Sequence, residues 1–351
     1  MRRLLSAALL LATLLLPACR PTPLQEQQAY VFGTRVEVVV VGSEPETARA
    51  AIAEVLREFD RLHTGFHAWQ PSQLSALNAA LAAGQTWPVS SELAELIREA
   101  QALAAQGEGL FDPGIGRLIA LWGFQSDEFK ARLPDPAALA AWRQEQPGMA
   151  DLEISAEGRV SSRKRQLALD FGGYLKGVAL DRAAAILRAR GVRNALINIG
   201  GNVIALGSKD GRPWRVGIQH PRQPGPLATL ELHDGEAIGT SGDYQRFFEL
   251  GGRRYSHLID PRSGEPVEHT QAVTVVIPAP QGSRGAGTLS DASSKPIFVA
   301  GPEHWRALAE RMGIGLVLRV DRDQGIEITE ALQRRLHWVG DARDLPIRVV
   351  P

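Results

Sequence analysis

Positions 170 to 177 read Asp170-Phe171-Gly172-Gly173-Tyr174-Leu175-Lys176-Gly177. An apolar stretch precedes this segment and an Ala- and Leu-rich helical pattern follows it. Glycines at 172, 173 and 177 demand a tight strand-to-helix turn. Backbone N–H groups at such a helix start suit an anion such as phosphate, and Lys176 adds a positive charge beside them. The spacing is neither GxGxxG nor GxxxxGK[ST], so neither the Rossmann nor the P-loop signature is met. A tight turn with no ligand is the alternative reading.

The elements around this turn predict an α+β chain, with mixed sheets and packed helices forming one interlocked body. The β-branched run over 35–41 predicts an opening strand. Ser43 is the expected cap of a helix over 45–62, and Ser90 of one over 92–106. Residues 126–150 read as a looser helical insertion. Short strands are expected at 152–155, 159–160 and 166–171, then a helix over 176–190 closed by Gly191. Strands at 195–206, 214–219, 227–232, 236–240 and 273–277 follow, joined by Gly and Pro turns. Gly200-Gly201 lies inside a strand pattern and suggests a bulge or a close approach. A helix over 291–300 capped by Ser290 and a strand at 316–319 complete the pattern.

The amino terminus carries a different signal. Arg2 and Arg3 precede an uncharged run over 4–17, the layout of a secretory leader and too short for a membrane span of about 20 residues. It ends in Leu16-Pro17-Ala18-Cys19, which resembles a bacterial lipobox. The expected organisation is a signal peptide over 1–18, a lipid-anchored polar tether over 19–28 and a folded domain over 29–351. Acylated Cys19 would be the mature N-terminus. Cys19 is the sole cysteine, so intrachain disulfides and Cys-rich metal sites are excluded. Arg20 after it is not the aspartate associated with inner-membrane retention, which favours an outer-membrane, periplasm-facing location. The 39 Lys+Arg balance 39 Asp+Glu, which argues against a nucleic-acid binder. A near-neutral body must hold any diphosphate with local groups.

Three further stretches carry candidate chemistry. Ser241-Gly242-Asp243-Tyr244 and Tyr255 to Gly264 flank a Gly251-Gly252 turn, which predicts a hairpin. His257 near Asp260 is a candidate general acid/base or diphosphate contact; otherwise it is a structural His beside a turn. Asp291 and Lys295, four apart, share a helix face. Asp291 is suited to a hard divalent cation or, more simply, to an ion pair with Lys295. Phe32-Gly33-Thr34, Trp69 and Trp122 offer rings that stack on a flat heterocycle or fill a core.

These pieces occur together, in this order, in one family. The chain resembles the ApbE-type FAD:protein FMN transferases, also called flavin transferases. The likeness runs from Phe32-Gly33-Thr34 through Leu74-Ser75-Ala76-Leu77-Asn78 and Phe111-Asp112-Pro113 to Leu121-Trp122-Gly123-Phe124. It continues through 170–181, Gly200-Gly201, Thr240-Ser241-Gly242 and His257 to Val267, and closes at Ser290-Asp291 and Gly301. The resemblance implies FAD as donor, a divalent metal, usually Mg²⁺, at its diphosphate, and transfer of FMN to a threonine hydroxyl of an exported acceptor with release of AMP. Some members instead hydrolyse FAD to FMN and AMP. Many are lipoproteins.

Carried onto this chain, the likeness implies flavin-side contacts at Phe32, Lys176 and Asp181 and an adenine-side lining at Ala120, Leu121 and Trp122. His257, Asp260 and Lys176 fall in the diphosphate and catalytic neighbourhood. The Gly173 carbonyl and the Asp291 carboxylate fall at the metal. Two departures stand out. Ala68 occupies a position that is often Tyr or Trp, with Trp69 adjacent. Lys295 occupies the place of a threonine metal ligand, and an ammonium cannot coordinate Mg²⁺. The second departure raises an alternative: an FAD-binding lipoprotein, or an FAD pyrophosphatase, with weak or no transfer.

Overall fold

The computed structural model describes residues 22–351 apart from 127, 129 and 280–284. The signal-peptide reading and Cys19 lie outside the described residues. The frame is a nine-stranded sheet whose strands lie side by side in chain order. They are β1 (Leu24–Val31), β2 (Thr34–Val41), β3 (Asn194–Ile199), β4 (Asn202–Leu206), β5 (Ala237–Gly242), β6 (Thr270–Ile277), β7 (Val317–Asp321), β8 (Ile326–Thr329) and β9 (Ile347–Val350). Every neighbouring pair is antiparallel except β8 and β9, which run parallel.

Strand periodicity divides the core. On β2, Val36, Val38 and Val40 face the helical layer, while Val39 and Val41 face the other side. The helical layer holds α1 (Pro45–Gly65), α2 (Gln73–Ala82) and α3 (Ser91–Gln106). Farther along the chain come α4 (Gly116–Leu121), α5 (Pro136–Glu145), α6 (Leu175–Ala189) and α7 (Ala286–Arg311). On α1 the buried residues Ala48, Ala51, Ile52, Val55, Phe59 and Leu62 recur at helical spacing, which is why this segment lies flat on the sheet. Gly301, at φ 75°, breaks α7 just before Pro302. Strands Trp214–Gln219, Pro226–Leu232 and Leu336–Trp338 cover the opposite face, over Val203, Ala205, Ile238, Val276 and Leu318. A third apolar cluster joins α4 and α5 to the hairpin Phe247–Leu250 with Arg253–Ser256.

Several expectations need correction. The polar stretch to Gln28 is not all tether: β1 starts at Leu24 and pairs with β2 along its whole length. An edge strand has one neighbour and a solvated face, so its Gln and Glu residues are no obstacle. Glu44, not Ser43, caps α1 by accepting from the Glu46 and Thr47 N–H groups. Residues 73–82 form a helix, opened by reciprocal Ser72–Ser75 capping bonds. The expected strand at 166–171 is an extended segment with one bridge, Ala168 to Ile115, ending in a 3₁₀ turn at Phe171–Gly173. Gly200 and Gly201, at φ 58° and 96°, form the two-residue turn between β3 and β4, not a bulge. Helix α7 begins at Ala286, so Ser290 is inside it and donates to the Gly287 carbonyl. The Gly251-Gly252 hairpin is as expected.

Candidate active site

Asn78, on α2, sets the approach to the 170–177 turn. Its side chain accepts from the Leu169 N–H at 2.7 Å and donates to the Leu169 carbonyl at 2.9 Å, as a neighbouring strand would. Asp170 then accepts from the Gly172 N–H at 2.9 Å and tightens the 3₁₀ turn. Tyr174 is buried, and its hydroxyl donates to the Leu96 carbonyl. Upstream, Asp112 ties the Gly114 and Met149 N–H groups, and burial pushes its carboxyl up to about 6. Asp112 is thus a structural clamp.

Helix α6 meets α7 through glycines. A Cβ on Gly177 would lie 2.4 Å from the Gly287 carbonyl oxygen, and one on Gly287 2.6 Å from the Gly177 oxygen. A Cβ on Gly239 of β5 would lie 2.3 Å from the Ser290 oxygen, so α7 is held closely from two sides. This approach brings Asp291, only 1% exposed, onto α6, where it accepts from the Gly177 N–H at 2.9 Å. Lys295 sits one turn farther along α7. Its ammonium donates to Asp291 Oδ1 and to the Asp291 carbonyl, each at 2.7 Å. The Lys295 stem runs past Gly173, where an added Cβ would be 3.3 Å from Cε. Ser241 and Ser294 exchange a buried hydroxyl bond at 2.8 Å, and Ser294 donates to the Asp291 carbonyl.

The N–H groups of the turn are therefore partly committed: those of Gly172 and Gly177 already serve Asp170 and Asp291. Side-chain cations must supply the attraction for an anion that those two N–H groups no longer offer. Burial lowers the pKa of Lys176; Asp291 opposes this, and Lys295 and Arg246 add to it. His257 is pushed down to about 3, first by burial, then by Arg246, Lys176 and Lys295. Its Nδ1 lies 3.1 Å from the Arg246 carbonyl, which can only accept. The neutral ring therefore carries its proton on Nδ1 and presents Nε2 as a base. Arg246, which itself donates to the Phe124 carbonyl, was not singled out by the sequence. Only the fold of the hairpin brings it beside His257.

Other expected residues lie elsewhere. Asp260 accepts from the Arg262 guanidinium and main-chain N–H within its own turn, and no hydrogen bond among the described residues links it to His257. It lines a separate cavity of about 520 Å³ with His269 and Arg322. Asp181 caps α7, accepting from the Gly287 and Thr288 N–H groups at 2.8 Å each. Trp122 is a core residue: its indole donates to the Gly264 carbonyl and its ring stacks on Tyr255. Ala120 and Leu121 stay partly exposed on α4. Phe32, at φ 58°, forms the β1–β2 turn with Gly33. Its ring opens a file through His63 and His67 to Trp69, with centroids 5.6, 5.0 and 4.3 Å apart in turn. Sequence reading missed both histidines: His63 lies in the last turn of α1, and His67 follows the helix just after its C-cap Phe66.

The model of the ApbE family matches residues 32–318. The chain belongs to the ApbE family. Its relatives include the FAD:protein FMN transferase of Rhodobacter capsulatus, 40% identical over 346 residues, or 99% of this chain and 65% of that protein. This chain thus spans slightly under two thirds of that relative's length. The FAD:protein FMN transferase of Klebsiella pneumoniae (strain 342) is 30% identical, with 88% of each chain covered. Among solved structures, the ApbE protein of Thermotoga maritima superposes with a TM-score of 0.80 at 30% identity, covering 89% of this chain and 99% of its own. The Pseudomonas stutzeri flavinyl transferase ApbE gives 0.74 at 31% identity, covering 90% and 98%. The α+β fold is that of the ApbE family.

The Mg²⁺ that the ApbE likeness implies does not fit the donors of this chain. Both Asp291 oxygens already accept hydrogen bonds, one of them from an ammonium. Among the described residues no three His, Cys, Asp or Glu side chains converge as a metal site. A hard cation requires several oxygen ligands, and Lys295 supplies none.

Proposed function

We propose that this chain moves FMN from FAD onto a threonine hydroxyl of an exported acceptor protein and releases AMP. The observation that carries this reading is the cationic surround of His257, built from Lys176, Arg246 and Lys295 on elements that match the ApbE family throughout. The acceptor oxygen attacks the phosphorus of the FMN half. The P–O bond to the AMP half breaks, and AMP leaves with the bridging oxygen. A threonine hydroxyl ionises far above neutral pH and needs a base. The negative diphosphate offsets the cations that hold the free ring down, and with FAD bound His257 Nε2 takes the hydroxyl proton and passes it to the departing phosphate or to water. The three cations offset the charge that builds on the diphosphate. Asp260 has no step here, because Arg262 engages it.

We extend the proposal to the amino terminus: cleavage before Cys19, acylation of its thiol and attachment at the periplasmic side of the envelope. The apolar run after Arg2-Arg3 and the sequence Leu16-Pro17-Ala18-Cys19 support it.

The test is incubation of purified protein with FAD and a threonine-bearing acceptor, followed by intact mass and nucleotide analysis. The expected outcome is an acceptor heavier by one FMN less water, with stoichiometric AMP. Free FMN and AMP with unlabelled acceptor would mean a pyrophosphatase. Bound FAD with no AMP would mean a binding protein.

A further inference from the structure

At the junction of α6 and α7 the chain supplies its own cation. Lys295 Nζ lies 2.7 Å from both the Asp291 carboxylate and the Asp291 carbonyl, while Gly177 N–H takes the other carboxylate oxygen at 2.9 Å. Two of the three ammonium donors are so used, and a third is left for an anion. The Lys295 side chain is 15% exposed against 1% for Asp291, so of this pair the lysine is the partner that reaches solvent. Its stem is steadied by packing on Gly173. Lys295 and Arg246 are each close enough to Lys176 for electrostatic influence, and all three act on His257. Three cations against one carboxylate leave a surplus of two positive charges. A dinucleotide diphosphate carries two negative charges at neutral pH, so the charges match without a further ion.

We propose that Lys295, with Lys176 and Arg246, forms a built-in cationic cradle for the FAD diphosphate in place of a divalent metal, so that this chain binds FAD independently of divalent ions. The inference rests on the reading of FAD as donor. A tethered ammonium held by Asp291 needs no recruitment from solution, and its position is paid for during folding. A lysine acts as a point charge and not as a polydentate template, so the cradle depends on three separate side chains.

The experiment uses the chelator-treated full chain and follows FAD binding by flavin fluorescence, with and without Mg²⁺. Mn²⁺ alone is titrated in parallel and followed by paramagnetic resonance. The wild type is expected to bind FAD in chelator, with Kd changed less than about twofold by Mg²⁺, and to bind no Mn²⁺ at this locus. Lys295→Met, which keeps the stem, is expected to weaken FAD binding about tenfold or more in either condition, the scale of a lost charged hydrogen bond. Lys295→Thr is expected to weaken it equally in chelator and to recover with Mg²⁺. Thermal melting of each variant reports folding, and the wild-type arms decide the question without them. Tenfold tighter wild-type binding in Mg²⁺, specific Mn²⁺ binding by the wild type, unchanged affinity in Lys295→Met, or no Mg²⁺ response in Lys295→Thr each overturns the inference. Acceptor labelling is scored separately, so loss of transferase activity with metal-independent FAD binding sinks the transferase reading and leaves this one standing.

Discussion

His257 shows how one residue's surroundings decide its chemistry. An exposed imidazole titrates near 6.5, but burial and three neighbouring cations hold this one down to about 3. It is therefore neutral through the physiological range, and Nε2 needs no prior deprotonation; the same cations keep it a weak base until a bound diphosphate offsets their charge. The linkage has a definite sign. The folded-state pKa is depressed, so His257 costs nothing above about 6.5 and costs progressively more as pH falls toward about 3. Ring NMR of the free protein should show His257 unprotonated from pH 8 to pH 5, and a titration near 6.5 would contradict the burial described above. Urea titrations of wild type and His257→Gln should diverge in acid, with the wild type losing stability faster below pH 6. Much at this scale was legible in the sequence. Asp291 and Lys295 stood out because four residues make one helical turn. Arg246 did not, because nothing in Tyr244-Gln245-Arg246 tells a solvated arginine from one folded against His257.

At the scale of elements, the site depends on how closely α6 and α7 cross. Gly177 serves this crossing as much as it serves the turn before it: its contact with Asp291 spans 114 positions of sequence. Gly177→Ala should force the helices apart. The expected loss of stability is about 1–3 kcal/mol, the usual cost of overpacking, measured by urea unfolding. FAD affinity should fall with it, because Asp291 and Lys295 move together. Unchanged stability and affinity would mean that the crossing relaxes freely. The long helices were readable because their apolar positions recur at helical spacing, as on α1 and α3. The start of α7 was not. Its cap is Asp181, 106 positions earlier on α6, so the local sequence around Ser290 offered a plausible but wrong N-terminus. The 166–171 segment misled in the same way, since Asn78 on α2 supplies the bonds that a sheet neighbour would have made.

At the scale of the whole molecule, the sheet adds its strands in chain order, and helices and hairpins are inserted between them. Motifs such as Gly200-Gly201, the β3–β4 turn, are local runs and legible one by one, whereas the polar first strand reads as linker because only its pairing with β2 makes it a strand. β1 shields the edge of β2, so deleting residues 22–31 should leave Thr34–Val41 with an unpaired row of backbone groups. Size-exclusion chromatography and melting should then show self-association and a lower Tm; a monomer of unchanged Tm would make β1 dispensable. The early start of β1 also has a mechanical meaning. Five peptide units separate Cys19 from Leu24, so a lipid at Cys19 would have a leash of at most about 18 Å. A protein so anchored would not diffuse away from its membrane. It would work as a fixture of one bilayer surface, and its clientele would be selected by geometry: only proteins that present their threonine close to the same membrane would come within reach.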